Sequence, residues 1–417
     1  MVTEKEWGVL RSLSNSIMIG GEDKYILAAV ADYADFRSRG FFKRWLLVAA
    51  RLLFVNLPKN LDEIDGSQGV VLVSSQNRSD YVAKLGLLRS KLECAGAENV
   101  LVLVGSVKYF SLVFYGVFDA CKGLAKRYEI INDMGVLGCL LLLVFSRNSL
   151  EVGVRLNRVS RGVGVGCSSV GTKVVFLNSA NAIEASWCAS VSSAKRIEVY
   201  TLQHGFYPSF TNRMPFDFIN YFNVGSDNLL VWDRRTKLIF EQYSPHLNVY
   251  IAGGLLLGDS CNVKFSKDKV RNVFLKLARD FHVAQNINLL KLAGQVFGND
   301  FYVDFHPSSD TSIYSAYFPS QYACPEKVEI DPHCDLILCT SSSVYFDYIR
   351  MGFLALLYVD EDSEFEGVCE IHSAEDLILI LQDVSKIATY VRDRRENYLL
   401  EYAGLGIDNY SEILLSQ

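Results

Sequence analysis

The chain is 417 residues long; half of its residues are hydrophobic, about a fifth are charged, and the formal net charge is −6. At roughly 100–200 residues per domain this is enough for two or three domains with cores of their own, and the apolar content excludes a disordered chain. Eight prolines without a Gly-X-Y or heptad period exclude collagen-like and long coiled-coil folds, and the acidic balance argues against a dedicated nucleic-acid binder, which shows a basic face.

The opening segment, MVTEKEWGVLRSLSNS, carries acids and lacks the apolar stretch of a signal peptide. Ten cysteines are scattered with no CxxC pair, which fits a reducing cytoplasm and leaves a structural zinc without paired thiolates. No run reaches the ~18–20 apolar residues that cross a bilayer. Phe36–Asn60 carries Arg37, Arg39, Lys43, Arg44, Arg51 and Lys59 among aromatic and leucine side chains. It reads either as a peripheral membrane contact on anionic lipid or as a core-packed helix with a basic outer edge.

Gly69–Ser74 (GVVLVS) has the β-branched apolar run of a buried parallel strand. A helix from Asp80 to Cys94 and a strand at Val100–Val104 complete a strand–helix–strand unit. Gly135–Phe145 reads as a buried strand or helix, and the Gly-rich Arg161–Gly171 as a mobile loop. Val174–Leu177 and Glu198–Leu202 are further strands, with a helical stretch at Ala182–Ser193 that contains Glu184. The last of these strands runs into Gln203-His204-Gly205, where Gly205 would permit a turn that projects the imidazole. His204 either contacts substrate or moves a proton, or is a buried histidine satisfied by a backbone carbonyl. Asp233, in VWDRR, and Glu184 are the carboxylates able to act as base, nucleophile or cation stabiliser; each can equally be a solvated helix-start residue.

The second half supplies strands at Asn248–Ala252, Phe301–Phe305, Asp335–Cys339 and Ala355–Val359. Helices are expected at Ser266–Phe281, Ile287–Val296 and Val344–Met351, and longer ones from Ser373 to Ala403. A crossover falls near Ser226–Gly254. His306-Pro307 follows one strand, and Pro307 removes a backbone N–H where pairing must stop. Thr340, Ser341, Ser342 and Ser343 follow another and open a helix, an arrangement suited to an anion, with Asp347 one turn further on. The simpler reading makes Ser343 an N-cap. The expected domains are 1–240, 241–380 and a C-terminal helical piece, 381–417, packing back across both. There is no GxxxxGK[ST], GxSxG or HExxH, so phosphate-loop hydrolases, nucleophile elbows and a dedicated metal site lack support.

Gln203-His204-Gly205, the stretch NYFNVGSDNLLVWD (Asn220–Asp233), His306-Pro307 and Ser341-Ser342-Ser343 together resemble the GT-B glycosyltransferases of bacterial surface polysaccharide synthesis. Within these the resemblance is greatest to enzymes using CMP-activated 2-keto sugars of the Kdo and sialic type. It implies two Rossmann-like doubly wound α/β lobes with a cleft between them. His306, Pro307 and Ser341–Ser343 would bind a CMP-sugar donor, with Asp347 on the ribose. Gln203 and Gly205 would flank the substrate, and Glu184, His204 and Asp233 would be catalytic. The chain departs from the pattern in having Asp233 where glycine is usual and Asp304-Phe305 before His-Pro where a basic residue is usual. The expected activity is metal-independent transfer, without a cofactor, to a growing glycan or lipid-linked glycan at the inner face of the membrane. The alternatives are a transferase using a UDP-sugar or CDP-polyol and a non-catalytic sugar-binding homologue.

Overall fold

The computed structural model describes residues 54–58, 69–110, 172–177, 184, 187–188, 191, 197–205, 207, 224–255, 270–278, 282–306, 309–314, 316–317, 334–341, 344–361, 363, 367–383, 389, 394, 404 and 407–416. In chain order these form β1 (Phe54–Pro58), β2 (Val70–Ser74), α1 (Ser79–Cys94), β3 (Val100–Val104), β4 (Ser106–Phe110), β5 (Thr172–Phe176), β6 (Ile197–Leu202) and β7 (Asn228–Val231). There follow α2 (Arg234–Tyr243), β8 (Asn248–Ile251), β9 (Val273–Lys276), α3 (Val283–Phe297), β10 (Tyr302–Asp304), β11 (Leu336–Cys339), α4 (Val344–Arg350), β12 (Ala355–Tyr358), β13 (Glu370–Ile371), α5 (Ala374–Gln382) and α6 (Tyr410–Leu415).

The chain divides into two compact units. One holds a six-stranded sheet, ordered β3-β2-β5-β6-β7-β8, with every neighbouring pair parallel. The inner strands β2, β5, β6 and β7 are largely buried on both faces, as continuous apolar runs require, while the edge strands β3 and β8 are partly exposed. On one face Val70, Leu72, Val175 and Leu202 pack against Tyr81, Leu85, Leu88 and Leu92 of α1 and Tyr410 and Leu414 of α6. On the other, Val71, Val73, Val174 and Phe176 meet Trp187, Cys188 and Val191, which are helical and spaced to share one face with Glu184.

Polar groups hold α6 down. Tyr410 donates its hydroxyl to the Gly253 carbonyl at 2.7 Å, and Asn409 bonds the Ala252 and Ile251 carbonyls at 3.0 Å each. The buried Lys173 on β5 donates to the Ile413 and Ser416 carbonyls at 3.2 and 2.7 Å, satisfying a helix end that would otherwise be orphaned. Gly253 has φ +101°, and a Cβ there would sit 1.9 Å from the Ile407 carbonyl oxygen.

The other unit holds a parallel sheet ordered β10-β9-β11-β12-β13. Its core joins Val273, Leu275, Leu338 and Leu356 of the strands to Leu289 and Leu290 of α3, Ile349 of α4 and Leu377 of α5. The α/β class with two doubly wound sheets is the one expected.

Three expectations are corrected. Residues 248–252 end the first sheet, since β8 pairs with β7, so the supposed crossover is two strands joined by α2. The helix expected over 266–281 contains β9, a strand that lies between β10 and β11 in the second sheet. Residues 54–58, at the end of the basic aromatic segment, form β1 and pair antiparallel with β4, so this part is no helix. Residues 36–53, 135–145 and 161–171, together with Pro307, Ser342 and Ser343, lie outside the described residues. Among the described residues no helix is long and apolar enough to cross a membrane.

Candidate functional site

Both sheets have a topological switch point. In the first, the chain steps from β2 outward to β3 and returns past β2 to β5; in the second, it steps from β9 to β10 and returns to β11. Loops leaving the carboxyl ends part at such places and leave a crevice where ligands bind.

In the first unit, Glu184 bonds the end of β2, one of the two strands that flank the switch point. Its carboxylate has no exposed surface, and Oε1 accepts from the Ser75 backbone N–H at 2.7 Å, the Ser75 hydroxyl at 2.8 Å and the Ser74 hydroxyl at 3.5 Å. The helix after β5 is thereby tied to the end of β2. A buried carboxylate needs such donors, and here they are the serines that end the strand.

Gln203 extends the β6–β7 ladder by one step. Its backbone N–H donates to the Leu230 carbonyl at 2.9 Å, and its Oε1 accepts from the Trp232 backbone N–H at 2.8 Å. His204, next in the chain, is half-buried and edge-on to Tyr81, with ring centroids 6.2 Å apart. Its carbonyl accepts from Lys84 Nζ, which also lies 5.7 Å from the Trp232 ring centroid. Loss of water, then the charges of Lys84 and Arg78, lower the His204 pKa to about 3 against an opposing pull from Asp80. The imidazole is therefore neutral at physiological pH. The expected need for glycine at 205 is corrected: its φ lies outside the left-handed region, and a Cβ would meet nothing within 4 Å.

Asp233 caps α2. Its Oδ1 accepts from the Thr236 N–H at 2.8 Å and Oδ2 from the Thr236 hydroxyl at 2.9 Å, which engages both carboxylate oxygens. Burial raises its pKa to about 6, with the Thr236 bonds and Arg235 acting the other way.

In the second unit, two consecutive residues of α3 pin three strand ends. Asn286 Oδ1 accepts from the Ala278 N–H at 3.1 Å and the Thr340 hydroxyl at 2.7 Å, while its Nδ2 donates to the Ala278 carbonyl and the Tyr314 hydroxyl at 2.9 Å each. Gln285 Oε1 accepts from the Ser341 N–H at 3.0 Å, and Nε2 donates to the Ser363 hydroxyl at 2.7 Å and to Asp360 at 3.2 Å. His306 is half-buried at the end of β10, and its carbonyl accepts from the Ser309 N–H at 2.8 Å. Ser341 is buried on the same carboxyl edge; with β9 between their strands, the two stand about two strand spacings, ~10 Å, apart. Asp347 is exposed on α4.

No sequence motif marks Lys84 or Trp232; Gln285 and Asn286 do stand out as adjacent amides inside the apolar run VAQNINLL. Among the described residues no cluster of three His, Cys, Asp or Glu could hold a metal ion.

No family model matches the chain, and no curated protein matches it in sequence. Solved structures do. A protein of Listeria monocytogenes assigned as a UDP-N-acetylglucosamine 2-epimerase is 12% identical, with 83% of this chain and 94% of that chain covered and a TM-score of 0.50. The S. aureus MnaA–UDP co-structure is 11% identical over 83% and 94% of the two chains, with a TM-score of 0.49. The wall teichoic acid polymerase TagF is 11% identical over 89% and 93%, with a TM-score of 0.42. At such identity the Listeria likeness is one of fold, and the chain has an α/β fold of the GT-B kind.

Proposed function

We propose that the protein is a GT-B glycosyltransferase that takes a diphosphonucleoside-activated donor on the second unit and an acceptor on the first. The observation that carries this reading is the second switch point, where Asn286 and Gln285 fix the ends of β9 and β11 beside a half-buried His306. The amides of Asn286 and Gln285 take up the backbone N–H groups of this turn and so fix it rigidly on the sheet edge, which supports a reading in which the His306 imidazole and the Ser341 hydroxyl meet a departing nucleotide. His306, Pro307 and Ser341–Ser343 are its proposed donor contacts, with Asp347 for the ribose. The fold likeness to a protein assigned to UDP-N-acetylglucosamine supports a UDP-type donor over the CMP-activated 2-keto sugar expected from the sequence. The proposed acceptor is a growing bacterial surface glycan, free or lipid-linked.

On the first unit, His204 orients the acceptor hydroxyl as a neutral hydrogen-bonding group. A pKa of about 3 makes it a poor proton acceptor at neutral pH, so its role is one of position rather than bulk basicity. Glu184 and Asp233 are occupied by Ser75 and Thr236; the first task of Glu184 is to tie its helix to the end of β2, and that of Asp233 is to cap α2.

The test is a thermal-shift panel of UDP, CDP and CMP on the full chain, followed by donor turnover with and without glycan acceptors. UDP or CDP is expected to raise the melting temperature as mass action requires, and His306→Ala to remove that shift. No response to any nucleotide would overturn the proposal. The epimerase assignment of the Listeria protein favours one second reading, epimerisation of a UDP-sugar. That reaction proceeds without acceptor and leaves the nucleotide bonded to the sugar.

A further inference from the structure

Two buried side-chain polar atoms lack a hydrogen-bond partner among the described residues, Trp232 Nε1 and Ser309 Oγ. Trp232 is the more informative. It is only 4% exposed, and its backbone is fixed, since its N–H bonds Gln203 and the next residue caps α2. A buried donor without a partner costs about 1–3 kcal/mol, and a phenylalanine would supply the same apolar body without that cost. The ammonium of Lys84 stands over the same indole, 5.7 Å from the ring centroid, and is itself held by the His204 carbonyl. His204 and Trp232 follow adjacent strands, β6 and β7, so the three side chains gather at one carboxyl edge of the first sheet.

An N–H donor, a cation and a neutral imidazole together select an oxygen that carries negative charge. We propose that Trp232 Nε1 and Lys84 form an anchor for an anionic oxygen, of a phosphate or a carboxylate group, on the acceptor. That the ligand is the acceptor rests on the transferase reading; the anchor itself does not require turnover.

The experiment follows the indole N–H signals of the full chain by heteronuclear NMR, with Trp232 assigned from Trp232→Phe. The probes are glycerol 3-phosphate, N-acetylneuraminate and, as the uncharged control, glycerol. The Trp232 signal is expected to move saturably with one of the two anions and not with glycerol, and the anion that succeeds identifies the group. Lys84→Met is expected to weaken that anion roughly tenfold to a hundredfold, and Lys84→Arg to keep most of the affinity. Trp232→Phe is expected to keep its unfolding midpoint and lose the anion. A signal unmoved by both anions, or moved equally by glycerol, overturns the anchor. So does a resident water that contacts the indole N–H and persists at anion saturation. Should Trp232→Phe fail to fold, the other three indole variants assign the signal by elimination and the wild-type titration decides. The nucleotide panel reads the second unit, so the anchor and the donor reading fail separately.

Discussion

At neighbouring strand ends an imidazole and a carboxyl are displaced from their ordinary pKa values in opposite directions. His204, lowered to about 3, resists protonation when folded, so its contribution to stability is present above the ordinary value of 6.5 and is lost as pH falls toward 3. Asp233, raised to about 6, holds its proton more readily when folded, so its contribution is present below 3.8 and is lost as pH rises through 6. Between these limits the two slopes oppose each other. Asp233→Asn keeps an N-cap acceptor and removes the titration. The unfolding free energy of this variant, read from urea titrations, is expected to rise more steeply than that of wild type from pH 4 to 6, by at most about 1.4 kcal/mol per pH unit. His204→Gln should do the reverse, its stability falling over the same range. At this scale the sequence marks the places better than the purposes. The imidazole's position after a β-branched strand is legible because strand ends at a glycine are local features. The Asp233 cap depends on Thr236 three residues ahead and is legible as a helix start. What surrounds His204, namely Lys84 of α1 and Arg78 at that helix's N-cap position, comes from far back in the chain.

Elements show why some of the chain is easy to read and some is not. Val70–Ser74 is buried at every position, a pattern with one interpretation. Around β9 the apolar residues Val270, Val273, Phe274, Leu277 and Ala278 fall at helical spacing, while Val273, Leu275 and Leu277 alternate as in a strand. Both periods are present, and sheet pairing on two sides, with β10 and β11, decides for the strand. Gly253 is a further case, for its reason lies in α6 and the segment before it. Gly253→Ala is expected to destabilise by about 3 kcal/mol or more, since a positive φ and a backbone clash at 1.9 Å add together. Lys173→Met leaves the α6 carbonyls without their cation and should cost about 1–3 kcal/mol. Denaturant midpoints at neutral pH measure both. A Gly253→Ala protein as stable as wild type would mean that α6 does not dock in this way.

At the level of the whole molecule, the two sheets repeat one plan. In each parallel sheet, the second strand in chain order lies outside the first and the later strands follow in order on the other side. Strand order is set by crossovers, which leave no mark on individual residues, so the sequence discloses strands without their neighbours; the strand expected in the second half at Asn248–Ala252 belongs to the first sheet. The switch point of the second sheet depends on Asn286 using its carbonyl and its amide in opposite senses, accepting from Ala278 N and Thr340 while donating to Ala278 O and Tyr314. Asn286→Leu leaves buried partners unsatisfied and should cost about 2–4 kcal/mol. Asn286→Asp tests the directionality. It keeps the acceptor but sets a second carboxylate oxygen against the Ala278 carbonyl, in a site with no exposed surface. It is expected to cost at least as much as the leucine, and both variants should lose the nucleotide-induced rise in melting temperature, while the Trp232 NMR titration, which reads the other sheet, keeps its midpoint. An aspartate variant as stable as wild type and still responsive to UDP would show that Asn286 does not pin the two strand ends.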